Sequence, residues 1–324
     1  MTNSKLRVLL TRRWPQAVED AMAQAFDLRV NPDNTPMTQA KLAEGLAWAD
    51  VLCPTVTDVV SAELLGGSSV RTRLLANFGV GFNHIDMAAA NSAGIAVTNT
   101  PGVLTDATAE IAMTLLLSTA RRAGEGERLV RSGQWEGWHP THMLSTQVTG
   151  KTLGIVGMGR IGLAFARQAH HGFGMRVLYS ARTPRPDETL QGVPAQYCAL
   201  PELLAESDFV SLHCPASAET HHLINAQSLA LMKSTAHLIN TARGEVVNEA
   251  DLVDALQRGV IAGAGLDVYE GEPIVTPGLL ALPNVVLLPH MGSGTTQTRV
   301  AMGQCALNNI QAFAAGQALL NQVL

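Results

Sequence analysis

Lys151-Thr-Leu-Gly-Ile-Val-Gly-Met-Gly-Arg-Ile-Gly162 is the stretch on which the reading of this chain turns. Leu153–Val156 is a short apolar run, expected as a buried strand. Gly157, Gly159 and Gly162 follow in the pattern G-x-G-x-x-G, with Met158, Arg160 and Ile161 between them, and 163–171 reads as a helix. In a dinucleotide site each glycine has its own task. Gly157 permits the tight turn out of the strand, Gly159 lets backbone approach a pyrophosphate, and Gly162 lets helix and strand pack closely. The phosphates would meet unpaired N–H groups at the positive end of the helix. A tight βα turn that binds nothing has the same glycines, so the motif needs its context. The nearby Gly150-Lys151-Thr152 resembles the end of a nucleoside triphosphatase phosphate loop. That loop needs a glycine where Ser145 stands and a helix after Thr152, where this chain has a strand.

Outward from the turn, strands and helices alternate. Before it, strands are expected at 6–10, 28–30, 51–54, 73–77 and 95–98, with helices at 15–26, 38–48, 62–65 and 87–92 between them. Alternation of this kind makes a parallel sheet covered by helices. Thr100-Pro101-Gly102 breaks the chain, and one long helix is expected from about Leu104 to Arg131. Residues 132–147, with Trp135, Trp138, His139 and Pro140, read as an irregular boundary segment. From Lys151 six strands are expected, at 153–156, 176–179, 209–213, 237–240, 263–267 and 285–288, the doubly wound pattern of a dinucleotide domain. The last helix, 295–316, has no strand partner of its own. Packing back on the first domain is the economical way to bury its apolar face.

The chain has 324 residues, 47% hydrophobic and 15% charged, with a net charge of −5. These values suit a well-buried two-domain α/β enzyme, and without a basic block they argue against nucleic acid as a partner. Cys53, Cys198, Cys214 and Cys305 form no C-x-x-C pair, so neither a disulfide framework nor a structural zinc site is expected. No signal peptide is evident, and the apolar helix around 111–120 is too short for a bilayer, so a cytoplasmic location and no membrane partner are expected. The scattered histidines, among them His170-His171 and His221-His222, show no metal-ligand spacing, and no metal is expected.

The second strand of the dinucleotide block runs into Val177-Leu-Tyr-Ser-Ala-Arg-Thr183, and no acidic residue appears before Asp187. Ser180 stands where a carboxylate would bind the ribose hydroxyls of NAD, with Arg182 and Arg185 close behind. A hydroxyl beside guanidinium groups suits a ribose phosphate, so NADP (NADPH) is expected over NAD. If Arg182 is an ordinary loop arginine, NAD is accepted as well.

Three further pieces fall at the carboxyl ends of expected strands: Asn240-Thr-Ala-Arg243-Gly, Asp267-Val-Tyr-Glu-Gly-Glu272-Pro and Pro289-His290-Met-Gly-Ser. Arginine offers a planar fork for a carboxylate, histidine a proton for a new hydroxyl, and glutamate a partner that orients the imidazole. Taken singly, each also reads as a cap, a surface carboxylate or a loop histidine.

In this order, and together with Asn77-Phe-Gly-Val-Gly81, Asn83-His-Ile-Asp86, Asp106-Ala-Thr-Ala-Glu110 and His213-Cys-Pro215, the pieces resemble the D-isomer-specific 2-hydroxyacid dehydrogenases. Within that family the chain is most similar to the glyoxylate/hydroxypyruvate reductases. The resemblance implies two doubly wound parallel-sheet α/β domains: a flavodoxin-like substrate domain from 1–100 and 289–324, and a Rossmann cofactor domain from 101–288. It implies Arg243 as substrate-binding residue, His290 as proton donor and Glu272 as its acid partner. Val80 and Gly81 would hold the substrate carboxylate through backbone amides. Thr108, His213, Cys214, Pro215, Thr220, Thr241, Ala242, Asp267 and Gly292 fall where the family lines the cofactor. A homodimer through the cofactor domains is implied, with Trp138, or the nearby Trp135, reaching the neighbouring active site. The expected reaction is NADPH-dependent reduction of a small 2-oxo acid. A D-lactate or 2-ketogluconate type reductase of the same family, and a nucleotide-sensing binding protein like the C-terminal-binding co-repressors, remain as alternatives at this point.

Overall fold

The computed structural model describes residues 5–324, which fall into two compact units. One takes the chain through Leu104 together with Ser293–Leu324; the other is Thr105–Gly292.

The first unit is built on five short parallel strands, β1 (Arg7–Leu10), β2 (Asp27–Val30), β3 (Val51–Cys53), β4 (Leu74–Ala76) and β5 (Ala96–Thr98). Helices α1 (Gln16–Ala25), α2 (Gln39–Trp48), α3 (Ala62–Leu65) and α4 (Met87–Ser92) connect them. The sheet order is β2-β1-β3-β4-β5. Leu52, Leu74 and Leu75 are fully buried, as expected where helices cover both faces of a parallel sheet. Side chains at the helix starts satisfy free backbone N–H groups: Thr38, Ser61 and Asp86 each accept from the residue three positions on.

The second unit opens with α5 (Thr105–Ala120) and α6 (Ala123–Arg131). The single long helix expected from the sequence is therefore two. Arg122 breaks it in the left-handed region (φ 53°) while its guanidinium reaches Glu125 and the Leu144 carbonyl. Apolar periodicity continues across such a break and does not reveal it. Then come β6 (Thr152–Val156), α7 (Arg160–Phe173), β7 (Arg176–Ser180), β8 (Ala195–Tyr197), α8 (Leu200–Glu206), β9 (Phe209–Leu212), α9 (Ala226–Ala230), β10 (His237–Asn240), α10 (Glu249–Gln257), β11 (Gly263–Leu266), α11 (Pro277–Leu280) and β12 (Val285–Leu287).

These strands form one parallel sheet in the order β12-β11-β10-β9-β6-β7-β8. It has seven strands rather than the six expected. The extra one, β8, is a three-residue edge strand, Ala195-Gln-Tyr197, half polar and too short to register as an apolar run. The strand order reverses between β6 and β9, so their carboxyl ends bound the crevice where open α/β sheets take ligands.

The terminal helix, α12 (Thr296–Ala314), returns to the first unit. Met302, Ala306, Leu307 and Ile310 pack with Val8, Val18 and Leu74, the burial expected for a helix with no strand of its own. Among the described residues no helix is long and apolar enough to cross a membrane.

Candidate active site

In the second unit the glycine turn lies where the strand order reverses. Gly157 has φ +96°, and a Cβ there would stand 2.6 Å from the Cys214 nitrogen and 2.8 Å from the His213 carbonyl carbon. The turn and the end of β9 touch through backbone, which only glycine permits. Gly162 falls inside the first turn of α7, which begins at Arg160 rather than three residues later, and its Cβ would meet the Gly157 oxygen at 2.4 Å. Gly159, the residue before the helix, differs: a Cβ there would meet nothing within 4 Å. The space beyond it faces the unpaired N–H groups of a 14-residue helix. That opening fits a pyrophosphate.

His213 turns its ring inward. Its Nε2 pairs with Ser211 Oγ at 2.9 Å, the ring lies 5.5 Å from that of Phe165, and burial pushes its pKa down to about 3. Burial likewise pushes the Cys214 thiol up to about 11. Both form the floor of the turn. Thr241 is buried, and its hydroxyl has no partner among the described residues, as expected of a group awaiting a ligand. Thr220 closes a turn by donating to the Pro215 carbonyl at 2.7 Å.

At the end of β7, Ser180 accepts the Gly157 N–H at 2.9 Å through its carbonyl. Arg182 is exposed and close enough to help lower the pKa of Glu219, whose main stabiliser is the Ser217 hydroxyl. Arg185, paired with it in the sequence reading, is committed elsewhere. It donates to the Met158 carbonyl at 2.7 Å and to Thr189 at 3.3 Å, while its backbone N–H reaches the Tyr179 hydroxyl at 2.9 Å. Arg185 thus braces the glycine turn.

The three pieces after β10, β11 and β12 do converge. His290 Nδ1 and Glu272 Oε2 are 2.7 Å apart, and the other Glu272 oxygen accepts the Tyr269 N–H at 3.0 Å. Burial alone would push the Glu272 carboxyl up. The hydrogen bond and charge of His290, the Tyr269 N–H and the Arg243 charge together outweigh it and hold the carboxyl below its ordinary range. With Nδ1 engaged, Nε2 is the imidazole nitrogen left to face a ligand.

His290 itself is in the left-handed region (φ 55°), which an ordinary side chain adopts only when held there. What holds it is Asp267. Its carbonyl accepts the His290 N–H at 2.9 Å, and its carboxylate accepts those of Met291 at 2.6 Å and Gly292 at 2.8 Å. Burial raises the Asp267 pKa against the pull of these donors and of His290. Thr108, from α5, donates to the Gly292 carbonyl at 3.0 Å, so the loop is fastened on both sides.

Arg243 is half-buried at the end of β10. Burial pushes its pKa down, while Glu245 and Glu272 push it up, so its charge is felt at the histidine pair. Asn240 fixes the local backbone, donating to the Arg243 carbonyl at 2.9 Å and accepting from Ala242 at 3.0 Å. Sequence reasoning missed Tyr269, Asn240 and the bracing role of Arg185, because each acts through backbone and carries no motif.

In the first unit, Val80 and Gly81 follow β4. Asn77, buried, donates to the carbonyls of Gly79 at 3.1 Å and Gly81 at 2.9 Å, and Asn99 donates to that of Val80 at 2.9 Å. His84 Nε2, 3.0 Å from Asn77 Oδ1, orients the Asn77 amide. With three successive carbonyls drawn inward, the N–H groups of Val80 and Gly81 are left without a partner among the described residues. An amide pair of this kind suits a carboxylate. The two asparagines behind it were not singled out from the sequence.

The histidines hold one surprise. His221 and His222, which show no metal-ligand spacing in the sequence, stand beside Glu270, with His222 Nε2 2.7 Å from Glu270 Oε1. The carboxylate comes from 48 residues away, a separation no ligand-spacing rule covers.

The model of the D-isomer specific 2-hydroxyacid dehydrogenase NAD binding domain matches residues 113–292, more than half of the chain. A glyoxylate reductase of Thermococcus litoralis is 45% identical over 317 residues, covering 97% of this chain and 95% of its own length. The chain belongs to the D-isomer-specific 2-hydroxyacid dehydrogenase family. The glyoxylate reductase of Korarchaeum cryptofilum is 46% identical over 316 residues, covering 97% of this chain and 94% of its own length. Among solved structures, a glyoxylate reductase from Paecilomyes thermophila superposes with a TM-score of 0.86 at 35% identity, each chain 98% covered. An NADPH-dependent glyoxylate/hydroxypyruvate reductase from Sinorhizobium meliloti, solved with NADP and malonate, gives 0.87 at 35% identity, covering 99% of this chain and 97% of that one. This family member is an NAD(P)-dependent dehydrogenase, glyoxylate reductase-like. The two parallel sheets agree with the fold expected from its motifs.

Proposed function

We propose that this dehydrogenase reduces glyoxylate or hydroxypyruvate to the D-2-hydroxy acid with NADPH, and that His290 is the general acid. The observation that carries the reading is the Glu272–His290 pair at 2.7 Å on a loop pinned by Asp267. The relatives named for glyoxylate reduction support the substrate class. The cofactor supplies the hydride when bound, and the remaining work falls to side chains and backbone.

Arg243 binds the substrate through its guanidinium, a planar fork for a carboxylate that also polarises a neighbouring carbonyl oxygen. The amides of Val80 and Gly81, left open toward a ligand, are assigned to a carboxylate, on a substrate domain taken as 1–100 and 289–324 with a cofactor domain at 101–288. His290, protonated, delivers its Nε2 proton to the oxygen that becomes the hydroxyl. Glu272 engages Nδ1 and fixes the ring so that Nε2 faces the substrate. Thr108, Thr241, Ala242, Pro215, Thr220 and Gly292 line the cofactor, with the turn at 157–162 beneath its phosphates.

NADPH preference is read from Ser180 and Arg182. No carboxylate lies in 176–186 to repel a ribose phosphate, and Arg182 is exposed. Arg185, which braces Met158, contributes shape rather than charge. The test is kcat/KM with NADPH and NADH against glyoxylate, hydroxypyruvate, pyruvate and 2-ketogluconate. Arg182→Ala should reduce the NADPH preference by about tenfold, one charge-assisted contact, with the NADH rate held. An unchanged preference rejects the role of Arg182; no turnover with any substrate despite cofactor binding rejects the enzyme reading. A homodimer, with Trp138 or Trp135 lent to the neighbouring site, belongs to the same proposal, supported by the exposure of both rings.

A further inference from the structure

His221, His222 and Glu270 lie outside the machinery described above, on the turn after β9 and the loop after β11. One ligand atom from each lies within 4.8 Å of the others, and His222 Nε2 already shares a proton-bridged contact of 2.7 Å with Glu270 Oε1. The two imidazoles lie face to face, ring centroids 3.9 Å apart and tilted by 32°. Two neighbouring rings that stack this way present nitrogens toward one carboxylate.

The backbone around them is fixed. The His222 N–H donates to the Glu245 carbonyl at 2.8 Å, and that of Ile224 to Val246 at 3.0 Å. Gly244 lies so tightly against Tyr269 and Glu270 that a Cβ would overlap their backbone, at 2.2 Å from the Glu270 nitrogen. The Glu270 N–H donates to buried Glu249 at 2.8 Å. Three chain segments are thereby locked together, leaving only side-chain torsions free. His222 is itself in the left-handed region (φ 49°), an arrangement that needs support and is found preferentially where a side chain must be aimed.

We propose that His221, His222 and Glu270 form a binding site for a divalent transition-metal ion of the zinc class. Two imidazole nitrogens and one carboxylate oxygen are the donors such an ion prefers, with metal–ligand bonds of about 2.0–2.2 Å. Tetrahedral bonds of that length put donors about 3.4 Å apart, which small rotations about the side-chain torsions reach from the present spacing. The metal takes the place of the proton between His222 and Glu270, and water takes the fourth position. Magnesium and calcium, which prefer oxygen donors, are excluded by the two imidazoles. The bound ion cross-links the turn after β9 to the loop that continues into Glu272.

The adjacent pair His170-His171 on α7 is an internal control. Those rings meet edge to face at 5.0 Å, and His170 Nδ1 is taken by the Met175 carbonyl at 3.0 Å, with no carboxylate among the described residues completing a set. The experiment is calorimetric titration of the tag-free, full-length protein with zinc chloride, repeated by the visible absorption of cobalt(II). Wild type should bind one equivalent per chain, and zinc should raise its Tm. Glu270→Gln and His221→Ala should each weaken binding by about tenfold or more and abolish the Tm shift, while metal-free reductase activity stays at the wild-type level. His170→Ala with His171→Ala should change nothing. Equal affinity in Glu270→Gln, loss of binding in the His170/His171 variant, or no saturable binding by wild type would each overturn the proposal.

Discussion

His290 has to be both strained and steady, and the groups that achieve this can be removed one at a time. Its left-handed backbone is held by Asp267, and its ring by Glu272 at 2.7 Å. His290→Asn removes the only donor assigned to the forming hydroxyl and should lower kcat by about 10²–10⁴-fold, the usual worth of general acid catalysis. Glu272→Gln leaves the imidazole in place and replaces the carboxylate that orients it through Nδ1, so a smaller drop, about 10–100-fold, is expected. Both should leave the Kd for NADPH, read by fluorescence quenching, nearly unchanged. A Kd that rises in step with the loss of turnover would instead make this pair a binding element. The same carboxylate has a pH signature. Its folded pKa is below the ordinary value, so its stabilising contribution is fully present above about pH 4.3 and is lost as pH falls through the folded value. In acid, as the carboxyl takes up its proton, the stability difference between wild type and Glu272→Gln should shrink, measured by urea unfolding.

On the scale of an element, β10 bears opposite features at its two ends. Its carboxyl end leads to Arg243; its amino end begins with His237, buried, stacked on Phe209 at 5.3 Å, with neither ring nitrogen hydrogen-bonded. Burial pushes the His237 pKa down to about 4. Above the ordinary histidine value of about 6.5 the ring is neutral whether the chain is folded or not. Below it the unfolded chain takes up a proton that the folded chain refuses until near the folded value, so stability falls with acid across that window. His237→Phe keeps the stacking, removes two unsatisfied polar atoms and finds room in the cavity lined by Thr119, Ala262 and Asn284. It should stabilise the protein by about 1 kcal/mol near pH 7.5 and by about 1–2 kcal/mol more at pH 5, measured by urea unfolding. A gain that does not grow toward pH 5 would contradict the buried neutral ring. No motif marks His237; it reads as one more strand residue. The glycine turn, by contrast, was legible because its constraint is local: a positive φ at Gly157 and backbone contacts that exclude a side chain. Arg243, Glu272 and His290 were legible for another reason, as each follows a strand whose apolar run is easy to see. What joins them, namely the Asp267 carboxylate, the Tyr269 N–H and the Asn240 amide, is backbone geometry, and composition or spacing does not encode it. β8 and the break at Arg122 escaped because neither interrupts an apolar pattern.

For the molecule as a whole, the segment after α5 is the part that one chain does not account for. Helix α6 contributes no buried residue, and the stretch around it exposes Val130 by 59%, Trp135 by 52%, Trp138 by 80% and Leu144 by 67%. Isolated exposed apolar residues are ordinary, but four large ones within fifteen positions of one segment are the kind of surface that the proposed homodimer would cover. The segment is anchored at both ends, since Arg121 reaches Ser145 at 3.1 Å and the Thr146 N–H reaches the Ala120 carbonyl at 2.9 Å, so it projects as a tied arm rather than a free tail. A tied arm with an apolar face is suited to a second copy of the same chain, because a two-fold contact lets each arm cover the other. Sedimentation equilibrium at micromolar concentration should therefore give twice the chain mass, and Trp138→Arg combined with Leu144→Arg should shift it toward the chain mass. Far-UV circular dichroism should be unchanged, since neither side chain is buried within the chain. The kinetic consequence separates the two tryptophans. If Trp138 reaches the neighbouring site, Trp138→Ala raises KM for the 2-oxo acid while the dimer persists. If Trp135 is the one that reaches it, Trp138→Ala leaves KM untouched and Trp135→Ala raises it. A wild-type chain that sediments as a monomer throughout would remove the neighbouring-site role from both, and the reaction would then rest on the residues of a single chain.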